Sequence, residues 1–209
     1  MLTLDLKKQT KALYSPSAKQ PQIVEIPEML FIRIDGVIEP GQAPGSSPGF
    51  QAAVEALYGI SYTLKFMLKK RPLDPVDYPV MPLEGLWGLS HGDFDIRVKD
   101  NWRYTLQIMQ PDLLTAGLFA EGLVQLRKKR GDVPELAQLR LERFYEGLAV
   151  QVLHLGPYAE EPATLERMHA FAAEQGCRLR YDHHEIYLGD PRRADPANMK
   201  TILRHPVEK

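Results

Sequence analysis

His183, Glu185 and Tyr187 stand at alternate positions of the run His183-His184-Glu185-Ile186-Tyr187-Leu188, and this spacing concentrates the chemistry of the chain. Successive side chains of a strand point to opposite faces. His183, Glu185 and Tyr187 then share one face, and His184, Ile186 and Leu188 share the other. If the Ile186/Leu188 face packs on helices, the first face is a wall carrying one acid beside an aromatic ring. A carboxylate there needs a donor, a cation or water, because an unpaired buried charge is costly. The pattern suits a pocket for a cationic or polarised organic molecule better than a core. The competing reading of Glu185 is an edge-strand acid, paired with an arginine or solvated.

A second segment mirrors the first. In Leu83-Glu84-Gly85-Leu86-Trp87-Gly88, alternation puts Gly85 and Trp87 on one face and Glu84 and Leu86 on the other. If the two strands are related by a pseudo-twofold, Trp87 faces Tyr187 across a cleft and Gly85 leaves room above its floor. Trp87 as an ordinary core aromatic is the alternative. Tyr145, after Phe144, and Tyr158, after Gly156-Pro157, either point into a central cleft or cap a lobe.

Other chemistries find no support in the spacing. His183 and His184 alternate faces, so both cannot ligate one ion from a strand. His91, His154, His169 and His205 lack ligand-type spacing, and no helical His-Glu-x-x-His or paired-cysteine motif is present. No metal or other cofactor is expected. Ser90-His91-Gly92-Asp93 holds the letters of a triad, but neighbours in sequence do not make one. Cys177 is the single cysteine, which excludes an intrachain disulfide and reads as a packed thiol.

The elements that must position these residues follow from periodicity. Residues 1–20 read as a polar, extended lead-in. Strand-like material over 23–38 precedes a loop rich in Pro and Gly over 39–49. A helix is predicted over 50–70, with Val54, Leu57, Tyr58, Ser61, Leu64 and Leu68 on one stripe. Strands over 82–89 and 103–110, a helix over 112–129 and another over 134–146 follow. A strand over 148–155, a helix over 160–175, a strand over 179–188 and a short strand over 201–203 complete the chain. The order repeats: strand, helix, then strand, in each half. This implies an α+β fold of duplicated β-α-β-β halves, forming a curved antiparallel sheet with helices on one face and a central ligand groove. One domain spans 21–209, with halves over about 21–111 and 147–209 and a helical connector over about 112–146.

Composition bounds the function. The 209 residues are 44% hydrophobic and 25% charged, with 26 Lys+Arg against 27 Asp+Glu. The formal net charge of −1 offers no global field for nucleic acid or a cationic polymer. The basic run Arg127-Lys128-Lys129-Arg130 falls where a helix ends before Gly131, as the helix dipole favours. No signal-peptide segment and no apolar stretch long enough to span a bilayer is present, so a soluble, cytoplasmic protein without a membrane partner is expected. Oligomeric state is not legible.

Three segments together resemble the GyrI-like small-molecule-binding family: Pro82-Leu83-Glu84-Gly85-Leu86-Trp87, Leu155-Gly156-Pro157-Tyr158-Ala159-Glu160-Glu161-Pro162, and His184-Glu185-Ile186-Tyr187-Leu188-Gly189-Asp190-Pro191-Arg192-Arg193. The closing Lys200-Thr201-Ile202-Leu203-Arg204-His205-Pro206-Val207 also fits. The resemblance implies a groove between two halves in which Glu185 engages cationic aromatic ligands, with Trp87 and Tyr187 as stacking or edge contacts and His183 and Tyr158 nearby. The regulators that carry this module add a helix-turn-helix, which residues 1–30 do not resemble. Stand-alone members resemble hydrolases that open strained cyclopropane rings. In that reading Glu185 orients or deprotonates water, and a tyrosine such as Tyr145 assists at a polarised carbonyl. The expected function is binding of hydrophobic cationic or electrophilic small molecules for sequestration or detoxification. Hydrolysis in the same pocket and a protein-interaction role are the alternatives.

Overall fold

In the computed structural model, which describes residues 1–90, 102–189 and 195–209, the elements are as follows. The first half contains β1 (Leu2–Thr3), α1 (Leu6–Gln9), α2 (Lys11–Tyr14), β2 (Gln22–Ile26), β3 (Met29–Val37), α3 (Pro48–Lys69), β4 (Val76–Asp77), β5 (Leu83–Leu89) and β6 (Trp102–Gln110). There follow α4 (Ala116–Arg130), α5 (Glu135–Gln138), β7 (Arg140–Phe144), β8 (Gly147–Leu155), α6 (Glu161–Glu174), β9 (Arg178–Leu179), β10 (His183–Tyr187) and β11 (Lys200–Glu208). The segment carrying His91 and the residues 190–193 of the resemblance lie outside the described residues.

The main sheet runs β2-β8-β11-β10-β5-β6-β3-β7, antiparallel throughout and strongly curled. Its order is symmetric about the β10–β5 seam. On one side stand β10, β11 and β8 with β2 outside; on the other stand β5, β6 and β3 with β7 outside. Each half contributes β-α-β-β, with α3 or α6 as its helix. The fold is the duplicated α+β architecture expected.

Directly opposed residues of neighbouring strands share a face, so one row of the sheet can be followed across both halves. It runs Val152, Leu203, Glu185, Gly85, Leu106, Ile34. At one end Val152 and Leu203 pack with Leu165, Met168 and Ala172 of α6. At the other, Leu106 and Ile34 join the core that takes in Leu57, Ile60, Leu64 and Leu68 of α3. Glu185 and Gly85 occupy the middle, between the two helices. The helices therefore lie on the Glu185 face. The condition that they pack on the Ile186 face is not met by α3 and α6.

The opposite face is covered by the N-terminal segment. Residues 1–20 do not form an extended lead-in: α1 and α2 bury Leu6, Leu13 and Tyr14. Beneath them lies a buried ionic network. The Arg204 guanidinium donates to Glu146 Oε2 (3.2 Å), Gln151 Oε1 (2.9 Å) and the Leu13 carbonyl (2.8 Å). His184 bridges Glu146 (2.9 Å) and Glu84 (3.1 Å), while Tyr14 donates to Glu84 and Gln107 Nε2 reaches its other oxygen (3.0 Å). Burial pushes Glu146 up, but His184 and Arg204 outweigh it and bring its carboxyl down to about 2. Burial likewise opposes charge on His184, and Glu146 beside it holds the imidazole above its ordinary range. Charges in a closed, mutually compensated set of this kind are tolerated where an isolated one is not.

Two further expectations change. The helix over 134–146 is replaced by the four-residue α5 and the strand β7, which pairs with β3 from Met29↔Phe144 to Arg33↔Arg140. Pairing along an open sheet edge overrides the local preference of Arg140-Leu141-Glu142-Arg143 for helix. The predicted strand over 179–188 splits into β9 and β10, because Tyr181 takes a left-handed conformation (φ 59°) between them.

Candidate functional site

β10 is the second of the two strands at the seam, and its neighbours on both sides bury it. His183, His184, Glu185 and Ile186 are all buried, and Glu185 is 9% exposed. Glu185 pairs with Gly85 on β5 and with Leu203 on β11. Tyr187, two residues along the same face, donates its hydroxyl to Glu185 Oε2 at 2.8 Å. The Trp87 indole in turn donates to the Tyr187 oxygen, also at 2.8 Å. The chain of donors indole to phenol to carboxylate thus ends on Glu185.

Gly85 is what lets this chain form. A Cβ on Gly85 would stand 2.7 Å from Trp87 Nε1 and 3.2 Å from the Tyr187 oxygen. Trp87 and Tyr187 therefore meet directly above Gly85, rather than across an open cleft. The space that the missing side chain leaves is filled by their polar atoms. Burial, with the Glu185 charge next, pushes the Tyr187 phenol far above its usual range, so it acts as a donor throughout ordinary pH.

The remaining aromatic rings come from the first half. Ser47 caps α3 by accepting from the Phe50 N–H (3.1 Å), with Pro48 at the start of the helix. That start sets Phe50 on Trp87 with centroids 5.6 Å apart and planes at 22°. Trp102 and Tyr104 meet Trp87 edgewise at 5.5 and 5.8 Å. One face of Trp87 is thus covered by Phe50, and the indole is 3% exposed. Its part in the site is to hold Tyr187.

His183 is fully buried, with Nε2 3.5 Å from Glu185 Oε1. Its ring neighbours His205 (5.7 Å), which neighbours His169 (5.2 Å). Burial first, and then the adjacent imidazoles, lower His205 to about 3 and His169 to about 4. Among the described residues no group of three His, Cys, Asp or Glu is disposed to hold a metal ion.

Tyr158, at the start of a short 3-10 turn before α6, meets Tyr187 edge-on at 6.0 Å and is 39% exposed, which places it at the rim. Tyr145 is not brought to the group. It is exposed at the turn into β8 and donates to Glu25 of β2. The structure therefore assembles Glu185, Tyr187, Trp87, His183 and Tyr158, and leaves Tyr145 outside.

Glu161 was not singled out by the sequence reading. It opens α6 and is 1% exposed, and its Oε1 has no hydrogen-bond partner among the described residues. Burial first, and the charge of Glu185 second, push its carboxyl up to about 9, against a hydrogen bond from Thr201. Thr201 is the direct cross-strand neighbour of Tyr187. The only sequence sign is a pair of acids, Glu160-Glu161, opening a helix, and such a pair ordinarily reads as solvated.

A surface depression of about 590 Å³ lies on the outer side of the α6 N-terminus, lined by residues including Leu155, Pro162 and Arg167. Its His154, Thr164 and Arg167 side chains are already engaged by the protein. His154 meets Thr164 (2.9 Å) and the Pro157 carbonyl (3.2 Å), and Arg167 meets the carbonyls of Ala18 and Lys19. It includes none of Glu185, Tyr187 and Trp87.

Comparison with known proteins agrees with this fold. An uncharacterised conserved protein from Listeria innocua superposes with a TM-score of 0.87 at 40% identity, covering 98% of this chain and all of that one. A structure of a hydrolase from Listeria innocua and one of a hydrolase encoded by lin2189 from the same organism superpose with TM-scores of 0.82 and 0.84 at 37% and 39% identity. They cover 98% and 99% of this chain and all of theirs. No curated protein matches the sequence. The model of the GyrI-like small molecule binding domain matches residues 19–208, and the chain belongs to that family.

Proposed function

We propose that this protein binds hydrophobic, electrophilic small molecules against Glu185 and adds water to them, strained rings conjugated to a carbonyl being the substrate class. One observation carries the reading. Glu185 sits at the centre of the sheet between the two helices, with one oxygen fixed by Tyr187 at 2.8 Å. A base must be held in one orientation to take a proton from water in the transition state, and a buried donor supplies that orientation. The likeness to Listeria proteins called hydrolases supports the same chemistry. Tyr145 has no part in this reading, because its hydroxyl is committed to Glu25.

Passive binding of planar cations for sequestration is the second reading, favoured by Tyr187 on the acid and the partly exposed Tyr158 ring against it. Incubation with a spirocyclopropyl cyclohexadienone separates the two. Hydrolysis yields a product heavier by one water, at a rate that depends on protein. Unchanged compound that nonetheless stabilises the protein leaves sequestration as the function.

A further inference from the structure

Two carboxyl groups share this site in different surroundings. Glu185 has the Tyr187 hydroxyl at 2.8 Å and the His183 imidazole at 3.5 Å. Glu161 descends from the first turn of α6 onto Thr201, in the neighbouring row of the same face. It is 1% exposed and its Oε1 meets no partner among the described residues. A carboxyl buried without a partner on one oxygen, near a second acid, favours its protonated form. Burial and the Glu185 charge keep the proton on Glu161, whose carboxyl is pushed up to about 9. An acid that keeps its proton next to a carboxyl fixed by a donor is placed for an acid role beside a base.

We propose that Glu161, buried near Glu185 with a carboxyl oxygen unpartnered among the described residues, is the general acid of the site. The inference rests on the hydrolytic reading above and names the class of substrate it serves: a neutral electrophile whose departing electrons collect on an oxygen. Water forms a bond from its oxygen to the strained ring carbon, and Glu185 takes the proton released. The ring carbon–carbon bond breaks, and its electron pair moves through the conjugated system onto the carbonyl oxygen. That oxygen takes the proton from Glu161. Glu161 is left as carboxylate and Glu185 as acid, and one proton returned from Glu185 to Glu161 restores the starting state. Tyr187 on Glu185 and Thr201 on Glu161, opposed across β10 and β11, flank that path.

The test uses Glu161→Gln, which keeps size and polarity and removes the proton, with two spirocyclopropyl dienones. One is unsubstituted; the other bears electron-withdrawing groups that stabilise the departing phenolate. General acid catalysis contributes on the order of 100-fold or more, so kcat for the unsubstituted probe falls by about that factor while KM changes little. The activated probe, which needs no proton, loses far less. The fall in rate expected of wild type at alkaline pH, as Glu161 loses its proton, is absent from the variant. Equal losses on both probes, or no loss on either, overturn the inference. Infrared spectroscopy at neutral pH separates its failure from that of the hydrolytic reading. A protonated-carboxyl band present in wild type and absent from Glu161→Gln, without turnover of either probe, overturns hydrolysis but leaves the shared proton standing. Absence of that band overturns the acid role of Glu161 directly.

Discussion

Tyr187 donates to Glu185 along a single strand, two residues apart, with a 2.8 Å hydrogen bond that fixes the carboxylate from the side. Strand geometry brings the two side chains to one face, and the Trp87 indole holds the phenol from the neighbouring strand. Two residues, one from each half of the chain, thus orient one oxygen of one acid. The consequence is a carboxylate whose position is set by the fold before any ligand arrives.

Tyr187→Phe leaves both Trp87 Nε1 and Glu185 Oε2 without their partner. Hydrogen bonds to charged groups contribute about 1.5–3 kcal/mol, so a loss near 2 kcal/mol is expected in urea unfolding. Ligand affinity falls with it. A variant as stable as wild type would show that the phenol is not coupled to Glu185.

Gly85→Ala places a methyl 2.7 Å from Trp87 Nε1. Overpacking of this kind costs about 1–3 kcal/mol, and relief requires the indole to move away from Tyr187. A lowered melting temperature with altered tryptophan fluorescence is expected. Wild-type stability and an unchanged spectrum would mean that the seam yields without displacing Trp87.

How much of this was legible is decided residue by residue. The face-sharing of His183, Glu185 and Tyr187 followed from strand alternation alone, since a period of two leaves no freedom in a buried strand. Helix α3 was legible from its apolar stripe. Which face of the sheet those helices cover was not legible, because β10 is buried on both faces and Ile186 gives no preference between them. β7 was hidden because Arg140 to Phe144 has a helical local preference, and only β3 across the sheet makes it a strand. Glu161 was hidden because a helix-opening acid carries no mark of the strand onto which its helix packs.

The first sixteen residues illustrate the same limit. Leu6, Leu13 and Tyr14 are too sparse for a periodic signal, yet they cover the Glu84–His184–Glu146–Arg204 network. A chain starting at Ser17 loses the Tyr14 and Leu13 contacts and opens buried charges to water. Given penalties of about 3–5 kcal/mol for breaking a buried ionic set, marked destabilisation is expected in thermal unfolding. An unchanged melting temperature would mean that the segment does not hold the network together.

Acid stability carries a sign that can be worked out. His205 has its pKa lowered from 6.5 to about 3, so below pH 6.5 the unfolded chain binds a proton that the folded one refuses. Stability from this group falls as pH drops from 6.5 towards 3. Glu146, lowered from 4.5 to about 2, contributes above pH 4.5 and loses its contribution as pH falls through 2. His184, raised, works oppositely: its contribution is complete below 6.5 and is lost as pH rises through its elevated value. Urea midpoints between pH 6 and pH 4 should decline in wild type and more gently in His205→Leu. Parallel declines would remove His205 from the account.

The central claim is that Glu185 is the carboxylate that ligands meet. Melting temperatures of wild type and Glu185→Gln, each with and without a panel of cationic dyes and planar electrophiles, test it most directly. A ligand at 100 times its Kd stabilises by about 2.7 kcal/mol, or roughly 5–10 °C for a chain of this size. The account predicts such a shift in wild type and its near-complete loss in Glu185→Gln, whose unliganded melting temperature stays close to wild type. Equal shifts in the two proteins would contradict it.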